Sequence, residues 1–489
     1  MSDDIRTTKQ PTFEFLAYLS ILLVAGALRF ALLGNLPLDD YESGLALQAL
    51  QWSRGDTPLL SGEPGYIALT TILFYIFNAA EFSARFWPAL AGTLVVLLPL
   101  LYRQWLGKPA ALVMAGLLAL DPILIAVSRS AEGSSLALLG LLAAIGFAYG
   151  KRPLLSGIFL GVGILGGTGF WPGLLVVGGL MLVFMKMDLH KDTPKKFPPP
   201  TARSLLLIAV AAIITVLSVS TLLLTNPRGI SAIGSGFTDY LVSWGENVTS
   251  PMLGVTTAWL LSLLPTIGFA LWSFIDGLIR RDNRVTRLGI WAVAALLLAL
   301  VNPTRQLMDL FWVSIPLLGL AAIKLAALFS DREVESRIVH LAETGLVIAL
   351  AVFSFMNAIN LVNNPLLNQE EYRNRVIGII LPLILLIGMT VLLAWGWSPS
   401  STRKGFLTGI VILAFFTMLS GSWKAAGLGG QAAFEIRRGP GVPVGSDELL
   451  ATIQDLSLSE TGIENRIDIQ VIALEMPSLG WALRDFEKL

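Results

Sequence analysis

The chain reads as an all-α polytopic membrane protein of about thirteen membrane-spanning helices, and three observations predict it. Of 489 residues, 54% are hydrophobic and only 14% charged, whereas a soluble domain carries about 25% charged residues. Apolar runs of membrane-crossing length recur from end to end. Basic residues gather in every second connection between those runs. The formal net charge of zero gives no case for nucleic acid as a partner. The absence of cysteine excludes disulfides and thiolate chemistry. His190 and His340 are too few and too far apart to build a metal site.

The predicted spans are Phe15–Leu33, Phe86–Tyr102, Pro109–Ser128, Ser134–Tyr149, Leu154–Gly167, Trp171–Met187, Ser204–Leu224, Met252–Ile279, Leu288–Val301, Leu307–Phe329, Ile338–Leu361, Val376–Trp397 and Phe406–Leu419. The first is as long as a bilayer requires and longer than a signal-peptide core. Each must be helical, because hydrocarbon offers no partner to an open backbone.

Arg6, Lys9, Arg103, Lys108, Lys151, Arg152, Arg280, Arg281, Arg332, Arg403 and Lys404 fall in one set of connections. Only scattered arginines such as Arg54, Arg129, Arg228 and Arg305 fall in the other. The positive-inside rule then predicts a cytoplasmic N-terminus and an extracytoplasmic C-terminus. Tyr66–Phe77, about twelve apolar residues, is read as a juxtamembrane helix, since a span there would invert every later loop. Residues 1–423 are thus expected to form the membrane domain, with a first external loop at about 34–85. Residues 424–489 are expected to be an extracytoplasmic fragment of a small α/β domain, because RIDIQVIAL alternates like a strand.

Candidate chemistry lies in the connections of the outer face. The first external loop carries Asp39, Asp40 and Glu42, followed by apolar positions of a short amphipathic helix. Such a cluster either caps that helix or supplies a general base or a divalent-cation site. Glu63 is a further carboxylate of this loop, a candidate substrate contact or a partner for Arg29 or Arg85. In DPILIAVSRSAEGSS, Asp121 precedes Pro122 within a span, so it either caps a broken helix or has a functional role. Arg129 and Glu132 stand at the outer end of that stretch and can pair with each other. Arg305, in NPTRQ, can grip a phosphate in a bidentate manner or snorkel to water as an interfacial anchor. Asp239, Trp244 and Glu246 could line a sugar site.

The order LLGNLPLDDYESGLALQALQWSRG, then SARFWPALAGTLVVLLPLLYRQWLGKPAALVMAGLLALDPILIAVSRSAEG, resembles the GT-C superfamily of membrane glycosyltransferases. That superfamily includes protein mannosyltransferases, aminoarabinose transferases and oligosaccharyltransferases. The resemblance covers roughly residues 15–150, and NPTRQ with SIPLLGLAA more loosely. MPSLGWALRDF resembles the end of the membrane part of GT-C-like proteins of lipid-linked sugar export. The resemblance implies a sugar donor carried on polyprenyl phosphate within the lipid of a cell membrane, with a divalent cation as a candidate cofactor and an acceptor it leaves open. It makes Asp40 and Glu42, with Asp39, the first-loop acids. Arg129 and Glu132 become the second-loop site, and Arg305 a phosphate contact. Three features depart from the pattern: Tyr41 takes the usual Asp position, GEPGYIAL lacks a basic residue, and Gly and Ser stand near Ser134 where a second-loop acid is usual. The expected function is transfer of a sugar to an acceptor on the outer face. The competing expectations are a lipid-linked sugar translocase or accessory, for which GVGILGGTGFWPG would be the broken helix, and an inactive GT-C scaffold that binds partners through its tail.

Overall fold

Apolar runs too long to be loops became helices throughout a computed structural model, which describes residues 13–189, 201–245, 252–302, 307–330, 335–364, 368–429, 446–469 and 476–486. No strand occurs among the described residues. Ten helices are long and apolar enough to cross a membrane, eleven when the bent pair Lys108–Ala119 and Pro122–Ser128 is taken as one span. The shorter apolar helices Ser134–Tyr149 and Pro153–Ile164 occupy the positions of two further predicted spans. The protein is a multi-pass membrane protein.

Four helices frame the connections that carry the candidate residues: α1 (Phe13–Phe30), α2 (Asp40–Ser53), α3 (Pro64–Phe77) and α4 (Glu81–Val95). The first crosses at the N-terminus and hands the chain to a short irregular connection. Helix α2 starts where Asp39 and Glu42 form a capping box, each side chain bonding the other's backbone N–H. This arrangement satisfies two of the donors that a helix start leaves open. Its buried face, with Leu45, Ala46, Ala49 and Leu50, follows helical spacing. Helix α3 covers the segment expected to be a helix at Tyr66–Phe77, two residues longer at its start, with Pro64 in the first turn and Tyr66, Ile67 and Ala68 fully buried.

The chain bends by 58° between Lys108–Ala119 and Pro122–Ser128. Pro122 cannot continue the helical ladder, and Asp121 caps the restart by accepting from the Leu124 N–H at 2.8 Å. A second break follows Ile164. There a 3₁₀ turn at Gly167–Gly169, a helical turn at Phe170–Gly173 and a π-turn at Leu174–Gly178 precede Gly179–Leu189.

In the tail, Ser446–Thr461 and Pro477–Ala482 are helices. The strand predicted at RIDIQVIAL is not seen: residues 466–469 are irregular, and the rest of that stretch lies outside the described residues. The short helix Pro477–Ala482 does not stand apart as a separate body but packs on the first external loop.

Candidate functional site

Two of the connections between helices, the one around Asp39–Glu63 and the one around Arg129–Gly133, are tied together by carboxylates. Glu42 is buried and forms an ion pair with buried Arg85, Oε2 to Nη2 at 2.6 Å. Its Oε1 accepts from the Ala131 N–H at 2.7 Å and from Arg85 Nε at 3.3 Å. Arg85 also donates to the carbonyls of Leu36 at 2.5 Å and Pro37 at 2.9 Å. Glu42 therefore pins the start of α2 to α4 and to the second external loop. Desolvating such a pair is tolerable only because nearly every donor and acceptor is satisfied.

Glu63 sits beside it, 1% exposed. The Tyr41 hydroxyl donates to its Oε1 at 2.9 Å, and the Gly133 N–H donates to its Oε2 at 2.7 Å. Glycines make the niche. Gly167 has φ +77°, and a Cβ there would lie 2.5 Å from Glu63 Cγ. A Cβ on Gly133 would lie 2.7 Å from the Gly166 carbonyl, and one on Gly65 would meet Leu165. The break in GVGILGGTG thus lets backbone come close around this carboxylate, as glycine alone permits.

Burial pushes Glu63 up to about 7, against the lowering effect of the Gly133 amide and the Tyr41 hydroxyl. Half-buried Glu132 is held well above the usual carboxylate range, first by desolvation and then by the charge of Glu63, with smaller contributions from Glu42 and Asp39. Ser134 opposes this by bonding Glu132. Asp239, on the helix Gly229–Ser243, is raised by partial burial. This helix meets the first loop where Gly62 and Gly236 approach, and a Cβ on Gly62 would lie 2.9 Å from Asp239 Oδ2. Trp171 and Phe237 face each other edge-on nearby, with ring centroids 4.7 Å apart. Acids that repel one another share a proton more readily than they all ionise, which suits proton transfer near neutral pH.

The remaining predicted residues are placed as follows. Asp39 and Glu42 serve the capping box of α2. Asp40 Oδ1 accepts from both the N–H and the hydroxyl of Ser478, at 3.1 and 2.5 Å. Arg129, 1% exposed, donates to the carbonyls of Leu28, Arg29, Ala31 and Leu32. It thus closes the C-terminal end of α1, where a helix leaves its last carbonyls open. Arg29 does the same for the carbonyls of Leu118 and Ala119. Arg305 and Glu246 lie outside the described residues.

Sequence reasoning treated Tyr41 only as a departure from an acidic pair, and it overlooked Gly133 and Ser478. Spacing carries no signal for any of these contacts, although the run of glycines at Gly161–Gly169 marks the niche. Among the described residues no group of three or more His, Asp or Glu is arranged to hold a metal ion. Each oxygen of Glu42 and of Glu63 already accepts from a protein donor.

No protein-family model matches the chain, and no curated protein matches it in sequence. Its fold, however, is shared with solved GT-C glycosyltransferases. ArnT from Cupriavidus metallidurans bound to undecaprenyl phosphate aligns over 96% of this chain and 84% of its own, at 19% identity and a TM-score of 0.59. The same protein in the apo state aligns with a TM-score of 0.57 at 18% identity, over 96% and 84%. The oligosaccharyltransferase of Archaeoglobus fulgidus in the apo form covers 81% of this chain and 56% of its own at 15% identity, and its TM-score of 0.45 is too low to carry weight. The chain has the GT-C fold.

Proposed function

We propose that the protein is a membrane glycosyltransferase that takes a sugar from a polyprenyl-phosphate donor and passes it to an acceptor on the extracytoplasmic face. The observation that carries this reading is Glu63, a buried carboxylate pushed up to about 7 between two loops at the membrane surface of a GT-C fold. The relative with the same fold was solved with undecaprenyl phosphate bound, which supports a lipid-borne phosphate as the leaving group here. The asymmetry of basic residues supports a cytoplasmic N-terminus and an external site.

In this mechanism Glu63, ionised, takes the proton from the acceptor hydroxyl. The acceptor oxygen bonds to the anomeric carbon as that carbon's bond to the phosphate oxygen breaks, and polyprenyl phosphate departs. Tyr41, half exposed while its hydroxyl bonds Glu63, orients that carboxylate toward the acceptor. Glu132, kept protonated by its burial and by the charge of Glu63, leaves Glu63 as the ionised acid, and the proton that Glu63 takes up returns to water as the products leave. Arg305 is proposed to neutralise the charge that develops on the phosphate. Glu63 is preferred to Asp40 as the base because it is buried and pushed up to about 7, beside the second acid Glu132, whereas Asp40 is engaged with Ser478 of the tail. Glu42 and Arg129 support the site, through Arg85 and through the end of α1. The break at Gly166–Gly169, which would have favoured a translocase, is accounted for by the niche around Glu63.

The test is release of undecaprenyl phosphate from its sugar-loaded forms in membranes that contain the native acceptors. Glu63→Gln is expected to lower the rate roughly 10²- to 10⁴-fold, the usual contribution of a general base, while Asp40→Asn retains most of it. Because the ionised form is the base, the rate should rise with pH through about 7. Full transfer in Glu63→Gln would remove the assignment.

A further inference from the structure

The outer-face loop of 34–85 is gripped by a segment more than 400 residues away in sequence. Ser478 bonds Asp40, the first residue of α2, across a separation of 438. Trp481, 3% exposed, donates its ring N–H to Glu81 at 2.9 Å and lies 5.7 Å from the Phe74 ring. Arg484 reaches Glu81 at 3.3 Å and stacks over Trp481 at 4.3 Å, while Arg54 donates to the Arg484 carbonyl at 3.2 Å. These contacts touch α2, α3 and the start of α4 at once. A buried tryptophan with its N–H satisfied and charged groups around it is how a small anchored interface is built.

We propose that residues 477–486 are a built-in clamp on the first external loop, and that Ser478 is a positioning residue which, through Asp40, sets the approach of Tyr41 to Glu63. Asp40 and Tyr41 are consecutive, so the first turn of α2 is held from two directions. The capping box and the Glu42–Arg85 pair hold one side. The hydroxyl and amide of Ser478 hold the other. With the Ser478 hydroxyl gone, only its amide is left on that side, the turn loosens, and Glu63 loses the steady hydroxyl donor that Tyr41 provides. Water then reaches a carboxylate whose other neighbours are the Gly133 amide and Glu132, and relief of burial, the largest influence on Glu63, outweighs the lost hydroxyl. The clamp does not depend on what the loop's carboxylates act on, so its failure and that of the transfer reaction can be told apart.

The chain has no cysteine, which allows a clean crosslink. A Cβ built on Gly44 lies 3.9 Å from the Cβ of Pro477, within the roughly 3.5–4.5 Å that a disulfide spans. The double variant Gly44→Cys, Pro477→Cys, made in the full chain and oxidised, should form a disulfide within one molecule. Ser478→Ala should raise amide exchange in residues 39–54 roughly five- to tenfold, as loss of such bonds does for local opening. Ser478→Thr should keep it unchanged. The second readout is labelling of Glu63 by dicyclohexylcarbodiimide, a hydrophobic reagent for protonated carboxyls, followed against pH by peptide mass spectrometry. Its midpoint should move to lower pH in Ser478→Ala, stay in place in Ser478→Thr, and return when the crosslink is introduced into Ser478→Ala. No crosslink, a crosslink only between two molecules, or an unmoved Glu63 midpoint in Ser478→Ala would each overturn the clamp. The crosslink in the Ser478 background decides the matter even if Ser478→Ala fails to fold.

Discussion

Two parts of the molecule handle buried carboxylates in different ways. Around the first external loop, Glu42 and Glu63 are tied to segments distant in sequence: Glu42 to Arg85 and the Ala131 amide, Glu63 to Tyr41 and the Gly133 amide. In the helices Arg337–Asn363, Gln369–Gly396 and Pro399–Ala425, Glu343 is buried and receives one hydroxyl, from Thr390 at 2.6 Å. The surroundings differ too. Over an apolar 18-residue stretch within the spans Glu81–Leu101 and Asp309–Ser330, 61% of residues are buried, against 11% over such a stretch in Arg337–Asn363 and in Gln369–Gly396. Where protein surrounds a helix, backbone amides and an arginine are at hand to stabilise charge. Where lipid surrounds it, a carboxyl has little besides a neighbouring hydroxyl. The first arrangement can hold and release a proton at a surface, and the second holds helices together.

The sharpest way to break this contrast is to remove one partner from each carboxylate. Arg85→Met leaves Glu42 buried without its cation, and it should cost about 3–5 kcal/mol in thermal unfolding of the detergent-solubilised protein. Thr390→Val beside Glu343 should cost only about 1 kcal/mol. Equal losses would mean that the two environments are alike.

Glycines sharpen it next. Gly167→Ala forces a side chain onto a backbone with φ +77° and against Glu63 Cγ, for an expected loss of about 1–3 kcal/mol. Gly345→Ala, on a helix with nothing within 4 Å of the added methyl, should be neutral or stabilise by up to about 1 kcal/mol.

The smallest effect is a slope. Glu63 rises from an ordinary 4.5 to about 7 on folding, so its protonated form is the one the fold favours. That contribution is fully present below about 4.5 and is lost as pH climbs through about 7. Glu63→Gln should therefore gain stability relative to the parent between pH 5 and pH 8, measured as the difference in melting temperature. A constant difference across that range would contradict the burial of this carboxylate.

Length and apolarity made the helices legible, because hydrocarbon sets both. The start of α2 was legible because Asp39 and Glu42 stand at capping-box spacing, and the bend was legible because Asp121 precedes a proline. The partners of the charged groups were not. Arg129 was expected to share the second-loop site with Glu132, yet it bonds carbonyls about 100 residues away. Those carbonyls belong to the end of a helix and leave no mark in residue types. Asp40 sits in the loop expected to carry the base, while its partner Ser478 lies in a tail expected to fold by itself. Tyr41 stands out of pattern among acids, and only the position of Glu63 gives it a role. Local chemistry can be read along a chain, whereas convergence depends on how helices pack.

The contact between Ser478 and Asp40 also constrains how the chain is threaded. Asp40 follows α1, and Ser478 lies beyond Pro399–Ala425, the last helix of membrane-crossing length among the described residues. If the loop they join faces one side of the membrane, as the proposed sidedness requires, the chain between them crosses an even number of times, whichever of the shorter helices proves to cross.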